Sequence, residues 1–164
     1  MSRTIADENI SQNPSISPGI VESLEILLRL GFHPEHMEDG KIGPRAVSLS
    51  DLRQKGFSVD REAYVKRQVL QDRAHNQMAN RPDDRKEPLI SSFSCSDVRV
   101  LIGGDSRRAF IVLDDALPEN TAHASIYSAF SRTDSQLRQI RALLLTLLQN
   151  YMPLKTYLRE NPNL

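Results

Sequence analysis

The stretch Ala116–Tyr127, ALPENTAHASIY, sets a solitary histidine, His123, just after an acidic, proline-containing turn and at the start of a strand-like run. Acid–base or nucleophilic chemistry needs a base, a carboxylate that orients it and a group to act on, all close together. Asp114, Asp115 and Glu119 lie just upstream of His123, and Ser125 and Tyr127 lie downstream. Alternate residues of a strand share a face, so His123, Ser125 and Tyr127 project to one side. Ala124, Ile126 and Ser128 project to the other, with Ile126 toward the core. The chemistry this pattern allows is that of a small hydrolase or nucleotide-acting transferase. His123 would be its general acid or base, Asp114 or Asp115 would orient the ring, and Arg61 or Arg45 would bind an anionic substrate. A structural role competes and is favoured, because the ring nitrogens can satisfy backbone groups of the turn PENT.

The stretch GFSVDREAY, Gly56–Tyr64, gathers Ser58, Asp60 and Arg61 between apolar neighbours. It reads either as a helix start capped by Asp60 or as a ligand site in which Ser58 and Arg61 take part. Tyr127 joins the ligand-binding candidates from the His123 face. His33 and His36, with Glu35, Glu38 and Asp39 nearby, are the densest set of potential metal ligands. Pro34 between the two histidines argues for a turn, and no metal or cofactor is assigned. The glycine pair of IGGDSRR lacks the spacing of a phosphate loop and leads into a strand. Cys95 has no basic neighbour before Arg99 and reads as a buried, inert thiol.

These residues must be positioned by elements that hydrophobic periodicity can locate. Residues 1 to 17 are polar and read as a disordered tail. Ile20, Leu24, Leu27 and Leu28 predict a helix from about 18 to 30, with Pro18 in its first turn and Gly31 as its stop. SLSDLRQKG predicts one short helix ending at Gly56, and a largely polar, exposed helix and linker follows over about 66 to 88. Four short runs, LISSFSC, DVRVLIG, RAFIVLDD and HASIYSAF, predict strands, the middle two as a hairpin turning at Gly103–Asp105. Leu137, Ile140, Leu144, Leu147, Leu148 and Tyr151 fall on one face of a long helix from about 134 to 152, capped by Thr133. The fold class this predicts is α+β: one domain over 18 to 164, with a small antiparallel sheet at about 89 to 130 against an N-terminal and a long C-terminal helix.

Composition narrows the functions. A chain of 164 residues balances 21 basic side chains against 21 acidic ones, so no bulk charge draws it to nucleic acid or an anionic membrane. A weaker nucleic-acid reading rests on Arg99, Arg107 and Arg108 of the predicted hairpin, with Lys66, Arg67 and Arg73 on the helix before it. Aromatic residues are too sparse to interleave with them as a stacking platform. A single cysteine forbids an intramolecular disulfide, and no apolar run spans a bilayer, so a cytoplasmic location is expected. Leu143 and Leu145 widen the apolar arc of the C-terminal helix beyond one stripe. The leading expectation is therefore a non-catalytic interaction module or small subunit of an assembly, self-associating or partnered through those two leucines.

Overall fold

The computed structural model describes residues 3–164. After a 3₁₀ turn at Ile5–Asn9 the chain forms β1 (Ile26–Pro34), the small hairpin β2 (Met37–Glu38) and β3 (Lys41–Ile42), and a π-type turn at Asp51–Lys55. Then come β4 (Phe57–Arg61), α1 (Arg67–Asn80), β5 (Arg85–Ser94), α2 (Cys95–Arg99), β6 (Phe110–Asp114) and β7 (His123–Ser128). The chain ends with α3 (Asp134–Leu148), β8 (Tyr151–Pro153) and α4 (Leu154–Glu160). Six strands make one sheet in the order β6-β7-β4-β1-β5-β8, every neighbouring pair antiparallel. The fold is α+β, and among the described residues no helix is long and apolar enough to cross a membrane.

Helices cover both faces of this sheet. On one, Leu27, Phe57, Val59, Phe93, Val112 and Ile126 pack with Leu137, Ile140, Leu144 and Leu148 of α3. On the other, Leu28, Leu30, Phe32 and Ile90 pack with Leu70 and Ala74 of α1 and with Leu154, Tyr157 and Leu158 of α4. A strand covered on both sides has apolar residues in succession rather than in alternation, and such a run is easily taken for a buried helix. That explains the main correction: the helix expected over 18 to 30 does not form. Ile26–Pro34 is instead the long strand β1, and Leu24, assigned to the helix's apolar face, is 92% exposed.

Further elements differ from expectation. DVRVL does not form the first strand of a hairpin, because Ser94 Oγ accepts from the Asp97 amide at 3.1 Å and caps the helix α2, burying Cys95 and Val98 one turn apart. Of the expected tail, residues 1 and 2 lie outside the described residues, and residues 3–17 are docked rather than free. Glu8 is buried and accepts from Arg108 at 2.6 Å, from Arg99 at 3.1 Å and from the Val112 amide at 2.8 Å. α3 has the expected Thr133 cap, reciprocated by Gln136, but stops at Leu148, and Tyr151–Pro153 turns back to pair with β5. Leu143 and Leu145 are half-buried against the α3 core.

Candidate functional site

β4 and β7 are paired so that Ser58 lies opposite Ser125 and Asp60 opposite His123. Ser58 and His123 are therefore diagonal neighbours on one face, within reach of an imidazole ring. His123 Nε2 stands 3.1 Å from Ser58 Oγ, and His123 Nδ1 stands 2.7 Å from the Asp115 carbonyl oxygen. A carbonyl can only accept, so Nδ1 donates its proton there, and in the neutral tautomer that this selects Nε2 presents its lone pair to the Ser58 hydroxyl. Asp115 Oδ2 lies 3.7 Å from Nδ1 and is itself held by Ser125 Oγ, which donates to it at 2.8 Å. Ser58 Oγ, the His123 ring and the Asp115 main-chain carbonyl are thus hydrogen-bonded in series, with the Asp115 carboxylate close by but beyond hydrogen-bond distance.

This row borders a cavity of about 680 Å³, within the size range of small-molecule sites. The cavity lies where β4 parts from β1: the two strands pair at Leu27–Arg61 and Leu28–Asp60 and then diverge. Leu30 and Ser58 line its sheet side, Val69, Arg73 and Asn76 of α1 form a wall, and Leu117 and Asn120 belong to the loop that leads to His123. Asp60 fixes that geometry from beneath. Its buried carboxylate takes Arg73 at 2.6 and 3.2 Å and Asn120 Nδ2 at 2.7 Å, tying helix and loop to one strand residue.

His36 closes the far end. Its Nδ1 accepts from the Phe32 amide at 2.9 Å, filling a backbone donor on the β1 edge that β4 has left. Burial, with Arg29, Arg85 and Arg81 nearby and Glu35 opposing them, pulls its pKa down to about 4, so the ring is neutral at physiological pH. Burial likewise pushes the Cys95 thiol up to about 11, and it stands apart from the cavity.

The structure brings together His123, Asp115 and Ser58, and separates the other candidates from them. Asp114 is fully buried on the opposite side of β6, where Ser11, Ser17 and Arg61 hold it. Arg61, expected to bind an anion, is 1% exposed and saturated: Glu25 takes it at 2.7 and 2.8 Å, and the Gly19 and Ile20 carbonyls accept from it. Arg45 is exposed on a 3₁₀ turn that does not line the cavity. Tyr127 packs with Ile111 and Leu113 beneath the Arg3 guanidinium. Arg99, Arg107 and Arg108 are each paired with Glu8 or Asp105, so they do not form a free basic tip. Among the cavity residues that the sequence does not single out is Arg29, a charged residue of β1. Arg29 was hidden in the expected helix, although a lone charge inside LLRLGF was a signal that the run is not all core. No family model, curated protein or solved structure matches the chain.

Proposed function

We propose that the protein is a small hydrolase that cleaves an ester through Ser58, with His123 as general base and then general acid. The observation that carries this reading is the hydrogen bond between Ser58 Oγ and His123 Nε2 at the cavity edge, with the opposite ring nitrogen bound to the Asp115 main-chain carbonyl. As Ser58 Oγ bonds to the ester carbonyl carbon, its proton passes to Nε2. The tetrahedral adduct expels the alcohol oxygen, which takes that proton from His123. Water then repeats the sequence on the acyl-serine, releasing the acid and restoring Ser58. While the ring is charged, the Asp115 carboxylate 3.7 Å away stabilises it.

The rival reading, an interaction subunit joined through Leu143 and Leu145, has less to support it, because those side chains are partly buried against the protein's own core. Steady-state hydrolysis of a panel of short 4-nitrophenyl esters tests the proposal. Turnover above the buffer rate should fall by at least roughly a hundredfold in both Ser58→Ala and His123→Ala, the scale of a lost base or nucleophile. Turnover that survives in both variants would exclude this pair as its origin.

A further inference from the structure

Three arginines line the cavity beside Ser58, and they differ in what neutralises them. Arg73 is answered by Asp60 at 2.6 Å and Arg85 by Glu35 at 2.5 Å. Arg29 has no carboxylate within ion-pair distance among the described residues. Its protein acceptor is the Ser58 carbonyl, to which Nη1 donates at 2.8 Å, while its guanidinium rests 4.1 Å over the Phe57 ring. A guanidinium offers five N–H donors, so most of this fork is left without a protein acceptor. Withdrawing a charge from water without a directly paired counter-charge is costly: burial, with Arg73 nearby, lowers the pKa of the half-buried Arg29 to about 10, and Asp51 and Asp60, both beyond ion-pair distance, only partly oppose it. The position is nonetheless rigid, because the side chain is stacked on Phe57 and pinned to the unpaired edge of β4.

We infer that Arg29 is the receptor for an anionic oxygen group, carboxylate or phosphoryl, on the ligand that occupies this cavity. Such a group would supply the missing counter-charge and accept in the bidentate geometry that a guanidinium favours. Asp72 and Glu119 lie exposed on the cavity's outer lining, which disfavours a ligand charged along its whole length. The ligand therefore carries one anionic end at Arg29 and a neutral body against Leu30, Val69 and Leu117. Identifying it with the substrate rests on the hydrolase reading, and makes that substrate an ester bearing an acid group close to the scissile bond. The anion site itself does not depend on that reading.

The test is titration of inorganic phosphate and, separately, succinate into the full chain at constant ionic strength. It is followed by calorimetry and by the ¹H–¹⁵N signal of the Arg29 Nε–H, identified by its loss in Arg29→Gln. Saturable binding of at least one anion is expected. It should weaken at least tenfold in Arg29→Gln, recover in part in Arg29→Lys, and stay at the wild-type level in Arg45→Gln, the exposed arginine outside the cavity. The preferred anion separates a carboxylate from a phosphoryl ligand. Binding absent for both anions, or equal in wild type and Arg29→Gln, would overturn the inference; should that variant fail to fold, undiminished affinity in Arg29→Lys together with an unmoved Arg29 signal would do so. Anion binding without any Ser58-dependent turnover would sink the hydrolase reading alone, and turnover without anion binding would sink this one alone.

Discussion

At the scale of single residues, the buried charges divide into those that hold the fold and those that face the cavity. Arg61 belongs to the first group, sandwiched between Glu25 and Asp114 with two backbone carbonyls on its remaining donors. Removing one partner of such a set leaves the others charged and dry, so Arg61→Leu is expected to destabilise the protein by about 3–5 kcal/mol. Urea denaturation checks this, and a loss below about 1 kcal/mol would mean that the pairing contributes little. His36 makes stability depend on pH in a stated window. Because its folded pKa of about 4 lies below the ordinary 6.5, the unfolded chain takes up the proton first. Stability is thus fully present above pH 6.5 and falls as the pH drops toward 4. This one group should remove about 2 kcal/mol between pH 7 and pH 5. The comparison is the pH 7 to pH 5 loss in wild type against His36→Gln, and equal losses would show that the histidine is not held neutral. The sequence disclosed His123 because strand alternation survives without context. It misled at Asp60 and Arg61, where a polar pair after a glycine looks like a helix start. Only long-range partners, Arg73 and Asn120 for one and Glu25 and Asp114 for the other, show that both are interior.

At the scale of elements, the turn into β4 decides where Ser58 sits. Gly56 ends the turn at Asp51–Lys55 with φ near 91°, and a β-carbon there would come within 2.9 Å of the Tyr127 hydroxyl and 3.0 Å of Ser125 Cβ. Backbone conformation and crowding both oppose a side chain, so Gly56→Ala should cost about 1–3 kcal/mol. It should also disturb Ser125, which holds the Asp115 carboxylate. Thermal unfolding of that variant beside its His123 ring NMR signals tests both effects, and an unchanged melting temperature would contradict them. The glycine was legible as a stop signal. The identity of β1 was not, since a strand with helices on both faces lacks period-two alternation. The serine cap of α2 was legible in principle, as a serine three residues before an aspartate, but the apolar texture of VRVLI outweighed it.

At the scale of the whole molecule, the N-terminal segment acts as part of the core. Glu8 serves Arg99, Arg108 and the Val112 amide, while Ser11 and Ser17 serve Asp114, all from a stretch whose composition reads as disordered. Composition measures apolar surface and is blind to a segment that docks through polar partners. Deleting residues 1–17 should leave Val112 N–H and Asp114 short of partners, at about 1–3 kcal/mol for each unsatisfied group. Hydrogen exchange at Val112 should then quicken by at least tenfold, and unaltered protection would show that the segment is dispensable. The α+β class followed from separated helical and strand periodicities. The six-stranded order, and with it the fork that makes the cavity, required knowing that β1 and β4 pair for only two residues before parting.

Activation of Ser58 by His123, as proposed, is tested by covalent labelling with a serine-reactive fluorophosphonate followed by peptide mapping. Modification of Ser58 ahead of the protein's other serines, abolished in His123→Ala and slowed in Asp115→Asn, is the expected result. Ser58 left unmodified in the folded wild type, or labelled equally fast without His123, would contradict it.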